Sequence, residues 1–204
     1  KIIMRIDSAT PGPLMSTFNL YITEIEIFDV DKLNKQLLKL SKQVYRELPS
    51  ADPSNAYQSP GLDPNEHPVF LDLFDKTKAH ILNVLGIYDL KKIGNIDFSL
   101  PQININKPGD FNWPHKHFDS HFSLIYYLKV PKKSGDLIFS NPLTQGNNFY
   151  LKEFNNYNSS NANTFKYTPR ENMLILFPSN IEHAVERNKS KHDRISIAFD
   201  ITIK

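Results

Sequence analysis

The sequence predicts a mainly β fold with N-terminal helices, built as an antiparallel double sheet of the jelly-roll or sandwich kind. Three observations carry this expectation. Two segments of helical period precede Gly86, and from Asp97 onward the pattern changes to short apolar runs at regular spacing. Helices followed by about eight strands favour packed antiparallel sheets over an alternating α/β arrangement. Aromatic residues make up 12% of the chain, a share that suits pleated, half-buried surfaces.

The elements follow in order. Ser16 to Phe28 alternates apolar and polar residues and predicts a strand. From Val30 to Leu48, residues Leu33, Leu37, Leu38, Leu40, Val44 and Tyr45 fall at helical spacing, with Asp29 or Asp31 as the N-cap. The Pro-, Ser-, Asn- and Asp-rich stretch from Leu48 to Pro68 predicts a loop. A second amphipathic helix runs from Pro68 to Leu85, with Gly86 in the C′ position. Strands are expected at 97–106, 121–130, 136–140, 164–168, 172–177, 182–187 and 194–203, and an exposed Asn-rich loop from Asn155 to Asn163. There is no internal repeat, so 1–204 is expected to be one domain. Residues 1–95 would supply an N-terminal strand and supporting helices, and 96–204 the sheet core.

Composition narrows the chemistry. Net charge is +2, and the 24 basic residues are scattered rather than striped, which argues against nucleic-acid binding. The absence of cysteine excludes disulfides, thiolate metal sites and thiol nucleophiles, leaving His, Asp and Glu as metal ligands. No apolar run approaches the ~20 residues of a membrane-spanning helix, and Lys1 to Met15 lacks the apolar core of a signal peptide. A soluble, cytoplasmic protein is the expectation.

The stretch from Pro114 to Leu128 (PHKHFDSHFSLIYYL) concentrates chemistry-bearing side chains. As one strand it would direct His115, His117, Asp119, His121, Ser123 and Tyr127 to a single face. Buried polar groups need partners, and one divalent metal satisfies several at once. A lone histidine on a strand is ordinarily a packed or surface residue, but a His-x-His pair with His183 opening a later strand favours a metal site. If 188–193 forms a hairpin turn, Arg187 faces Arg194 and His183 faces Ala198, although two opposed arginines repel and leave the register open. Arg194 then lies roughly 13 Å from His183 at ~3.3 Å per residue. The gap beyond the Arg side chain fits a five-carbon diacid bridging metal and guanidinium. Ser196 shares Arg194's face and offers a hydroxyl donor.

These blocks, read together, resemble the iron(II)- and 2-oxoglutarate-dependent oxygenase superfamily. More narrowly, they look like a prolyl-hydroxylase-like 2OG-Fe(II) oxygenase family with the pattern HxHxxSxxSxxYYL. The residues are His115-Lys116-His117, Ser120, Ser123, Tyr126-Tyr127-Leu128, Gly135 to Phe139, Leu174 to Ser179, His183, Val185, and Arg194 to Phe199, with Ser54-Asn55, Tyr57 to Ser59 and Asn104 to Asn112 upstream. The resemblance implies a cupin-like double-stranded β-helix, a jelly roll, with iron ligands His115, His117 and His183 and with 2-oxoglutarate held by Arg194. It also implies that Tyr127 and Ser123 touch the 2-oxoglutarate. One departure stands out: the superfamily's usual first motif is His-x-Asp, which His117-Phe118-Asp119 matches literally, so Asp119 is the alternative carboxylate ligand. His121 is a rim or outer residue, and His67, His80 and His192 are structural or exposed.

The activity implied is that of a dioxygenase using O2 and hydroxylating a C–H bond of a peptide or small molecule, with release of succinate and CO2. Two other classes compete. A cupin-like metal enzyme without 2-oxoglutarate would carry a Glu three to five residues after His-x-His, which this chain lacks, and a three-histidine zinc hydrolase leaves Arg194 and Ser196 unexplained. A non-catalytic jelly-roll binding or virion protein would make the histidines fortuitous. Substrate and oligomeric state are not legible.

Overall fold

The computed structural model describes residues 22–52, 56–87, 94–142 and 162–204. Residues 16–21 of the expected strand over 16–28 thus lie outside the described residues, and within 22–28 the strand is β1 (Thr23–Glu26). Ser54, Asn55 and 155–161 of the Asn-rich loop also lie outside them.

Helix α1 (Asp31–Glu47) buries Leu33, Leu37, Leu40, Ser41 and Val44 along one face. Neither aspartate caps it. Val30 is the N-cap and Asp29 has φ 55°, so Asp31 instead supplies negative charge in the first turn, where the helix dipole favours it. Helix α2 (Val69–Gly86) buries Phe70, Leu73, Phe74, Thr77, Ile81, Val84 and Leu85. Gly86 does not take the C′ role, because Ile87 stays right-handed and its N–H still reaches the Val84 carbonyl at 3.0 Å. Among the described residues no helix is long and apolar enough to cross a membrane.

The remaining strands are β2 (Tyr57–Gln58), β3 (Ile96–Phe98), β4 (Gln102–Asn106), β5 (Asn112–His115), β6 (Phe122–Lys129), β7 (Leu137–Ser140), β8 (Thr164–Tyr167), β9 (Met173–Pro178), β10 (His183–Val185) and β11 (Arg194–Ile203). They form an antiparallel seven-stranded sheet, β1-β9-β6-β11-β4-β2 with β3 also on β11, and a four-stranded sheet, β5-β10-β7-β8. Facing antiparallel sheets of this order make a jelly roll, as the sequence predicts.

Three strand expectations change. The stretch 97–106 is split at Ser99–Pro101, where proline has no N–H to give a ladder, although β3 and β4 both lie along β11. Pro114 to Leu128 is not one strand: β5 ends at His115, the chain bends through 116–121, and β6 starts at Phe122. Residues 188–193 are not a hairpin turn. Strand β10 pairs with β5 and β7 in the small sheet, whereas β11 pairs with β3, β4 and β6 in the large one. The connection therefore crosses between sheets, Arg187 is exposed, and Arg194 faces Asn106 in register.

Alternation on the large sheet divides the interior. Leu124 and Tyr126 of β6, Leu174 and Leu176 of β9, and Ile195, Ile197 and Phe199 of β11 pack with the two helices. The opposite face sends Tyr127, Met173, Ile175 and Phe177 against Leu137, Phe139 and Val185 of the small sheet. The same inward face of β4 and β11 carries Asn104, Asn106, Arg194, Ser196 and Asp200, and there the interior becomes polar.

Candidate metal centre and anion pocket

His115 closes β5 and His183 opens β10, and the two are partners in the small sheet's ladder. The bend after His115 returns His117 to the same spot, so the three histidines offer ligand nitrogens all within 4.8 Å of one another. A single strand would have left them side by side along one direction; the bend makes them converge.

The second ring nitrogens fix which atoms are free. Nδ1 of His115 lies 2.8 Å from the Trp113 carbonyl and Nδ1 of His183 lies 3.0 Å from the Ile181 carbonyl. Carbonyls only accept, so both rings carry their proton on Nδ1 and keep the Nε2 lone pair. Nδ1 of His117 stands 2.9 and 3.0 Å from the two carboxylate oxygens of Asp200, with Ser123 Oγ at 3.3 Å. Burial, reinforced by the neighbouring His115, pushes the His183 pKa down to about 3, which keeps that imidazole neutral and ready to donate its lone pair. Three imidazoles converging on one side, with no cysteine anywhere in the chain, suit iron or zinc on donor type.

The cavity bordered by these histidines extends to Arg194, Ser196, Asn104 and Gln102. Arg194 is 2% exposed, and among the described residues no carboxylate lies within ion-pair distance of it. Among the described residues its side chain makes one hydrogen bond, a long one of 3.4 Å from an Nη to the Gly135 carbonyl. That carbonyl is held in place by a turn only glycine accepts: Gly135 has φ +94°, and a Cβ there would collide with the Glu186 carbonyl. Burial lowers the Arg194 pKa, opposed by Tyr127 and Asp136. Among the described residues, three buried side-chain polar atoms have no hydrogen-bond partner: Arg194 Nε, Tyr127 OH and Asn106 Oδ1. Tyr127 sits beneath the guanidinium, 5.8 Å from ring centroid to Cζ, and burial pushes its pKa up to about 12, so it remains a hydroxyl donor. Asn106 Oδ1 can only accept, but a buried guanidinium whose Nε–H lacks an acceptor, beside the unpartnered Tyr127 hydroxyl, calls for an anion.

Of the residues expected from sequence, His115, His117, His183, Arg194, Ser196 and Ser123 border this one cavity, and Tyr127 adjoins Arg194. Ser123 stands on the histidine side, hydrogen-bonded to Ser179 at 3.0 Å, rather than beside Arg194. Asp119 is exposed and lines a second, outer cavity beyond His117; it is not one of the three clustered ligands. His121 turns away, its Nδ1 accepting the Ile203 N–H at 3.1 Å. His67 packs edge-on against Phe70, His80 lies in α2, and His192 is exposed. Asp200 is a site residue that sequence reasoning missed. Asp200 was legible in principle, since 194, 196 and 200 share one face of a strand.

Comparison with known proteins agrees. The family model described as "Putative 2OG-Fe(II) oxygenase" matches residues 103–200. The fold is similar to that of a Pseudomonas putida prolyl-4-hydroxylase, with TM-score 0.61 and 16% identity over 91% of this chain and 94% of that one. It is also similar to the viral collagen prolyl hydroxylase of Paramecium Bursaria Chlorella virus-1 in its 2-oxoglutarate complex, with TM-score 0.57, 20% identity, and 90% and 97% coverage. A third likeness is HygX from Streptomyces hygroscopicus with nickel and 2-oxoglutarate bound, at TM-score 0.60, 14% identity, and 90% and 83% coverage. Among curated proteins no sequence match is found. The matched segment runs from β4 to β11, contains all three clustered histidines and Arg194, and resembles the 2OG-Fe(II) oxygenases, dioxygenases that work with iron(II), 2-oxoglutarate and O2.

Proposed function

We propose that this oxygenase hydroxylates a C–H bond of a peptide or small-molecule substrate, coupled to conversion of 2-oxoglutarate into succinate and CO2. His115, His117 and His183 hold the iron, and Arg194 takes the far carboxylate of 2-oxoglutarate. The observation that carries this reading is a buried guanidinium with no carboxylate at ion-pair distance among the described residues, in the same cavity as three converging imidazoles.

Bound iron(II) supplies the oxidative chemistry. This chain's residues bind and orient. The planar guanidinium pairs with a carboxylate through two parallel N–H bonds, fixing direction as well as charge. The Tyr127 hydroxyl, which has no other partner, and the Ser196 hydroxyl donate to the same group. Ser123 acts on the histidine side, in contact with His117. Phe177 and Phe139 pack against His183 and keep water from that flank of the site. Residues 1–204 act as one domain, with 1–95 supporting the sheet core. Peptide and small-molecule substrates both stand, since the similar structures include prolyl hydroxylases and a HygX complex containing hygromycin B.

The test is 2-oxoglutarate turnover by the iron-loaded protein, read as succinate and CO2. His115→Ala and His183→Ala are expected to abolish tight iron binding in a folded protein. His117→Ala and Asp119→Ala decide the remaining ligand: loss of His117 should abolish turnover, and loss of Asp119 should cost about tenfold or less. The reverse result would transfer the ligand role to Asp119.

A further inference from the structure

The three Nδ1 partners are not equivalent. Those of His115 and His183 are neutral backbone carbonyls, and that of His117 is the carboxylate of Asp200. The Asp200 backbone is pinned on both sides of its peptide: its N–H donates to Ser99 Oγ at 2.8 Å, and its carbonyl accepts the Ser99 N–H at 2.9 Å. In the ladder Asp200 is opposite Ser123, so the side chain points inward toward His117 and borders both the inner and the outer cavity. Ser123 shares its hydroxyl with Ser179, whose Oγ also accepts from Ser120 at 2.9 Å. The Ser179 carbonyl in turn accepts the His117 N–H at 3.0 Å. His117 is thus held in position by backbone, and its ring is oriented by a carboxylate.

Charge makes this pairing consequential. Three neutral imidazoles leave a divalent cation with its full +2, whereas a two-histidine, one-carboxylate set leaves +1. A carboxylate hydrogen-bonded to the far nitrogen of a ligating imidazole raises that ligand's basicity and places one negative charge a ring's width from the metal. We infer that Asp200 is a positioning residue of the metal centre, fixing the tautomer of His117 and returning to an all-histidine site the negative charge that a ligating aspartate would have supplied. This inference rests on the proposed iron site.

The experiment is titration of the metal-free protein with cobalt(II), followed by calorimetry and by the visible absorption of bound cobalt, for the parent, Asp200→Asn, Asp200→Ala and His117→Ala. Asn keeps the size and one acceptor oxygen but removes the charge. Asp200→Asn should weaken cobalt binding 10- to 100-fold and shift the cobalt absorption, with the unfolding midpoint of the metal-free protein unchanged. Asp200→Ala should weaken binding at least as much, and should Ala prevent folding, Asn alone decides. Parent-like affinity in Asp200→Asn, with His117→Ala strongly impaired, would overturn the inference and leave the iron site intact. Parent-like affinity in His117→Ala would instead overturn His117 as a ligand, and the inference with it.

Discussion

The two faces of the large sheet do different work with the same strands. On the helix side, β4, β6, β9 and β11 contribute Ile103, Ile105, Leu124, Tyr126, Leu174, Leu176, Ile195, Ile197 and Phe199, all buried. On the inner side, β6 and β9 remain largely apolar, but β4 and β11 present Asn104, Asn106, Arg194, Ser196 and Asp200. One residue's shift along β11 separates Ile195 from Arg194 and moves from core to site. Stability is concentrated on the first face and chemistry on the second, and substitutions on the two faces should differ in kind.

The largest expected effect is on the helix side. Leu124 and Ile197 have no solvent exposure, so Leu124→Ala and Ile197→Ala should each lower the unfolding free energy by about 2–5 kcal/mol in urea titrations. Folded molecules of either variant should bind 2-oxoglutarate as the parent does. Loss of binding with little loss of stability would erase the distinction between the faces.

Arg194→Met should give the opposite outcome. Affinity for 2-oxoglutarate should fall by about 2–5 kcal/mol, roughly 30-fold or more, with iron binding nearly intact. Unfolding free energy should hold or rise, because an unpaired buried charge is replaced by an apolar chain of similar length. Arg194→Lys should recover only part of the affinity, lacking the two-pronged contact. Binding of 2-oxoglutarate indifferent to these changes would remove Arg194 from the site.

The pH dependence of the metal-free protein sharpens the comparison. His183 titrates near 6.5 when unfolded and near 3 when folded. Above about pH 6.5 it is neutral in both states and contributes no slope. Between about 6.5 and 3 the unfolded chain binds a proton that the folded one refuses, so stability should fall as pH drops through that window, by on the order of a few kcal/mol, and level off below it. In His183→Ala this part of the slope should vanish. An unchanged slope in stability against pH would show that His183 is not the group refusing the proton.

Smallest is Ser196→Ala, with a loss of about 1 kcal/mol in 2-oxoglutarate affinity for one hydrogen bond. A loss as large as that of Arg194→Met would mean that Ser196, not the guanidinium, carries the anion.

Much of the fold was legible because alternation and helical spacing are local properties. The helices, the strands from β6 onward and the double-sheet architecture follow from residue spacing, and the ordered blocks from His115 to Phe199 carry the family resemblance. Convergence is not local. The bend at 116–121 that brings His117 to His183, and the crossing from β10 to β11 that replaces a hairpin, depend on which sheet each strand joins. Asp200 reaches His117 across 83 residues, and Asn106 meets Arg194 across the ladder of β4 and β11. The sequence by itself determined which side chains face inward, since the period of two assigns faces along each strand. Only the tertiary structure decided which of those inward side chains meet, because that depends on how two twisted sheets close on one another.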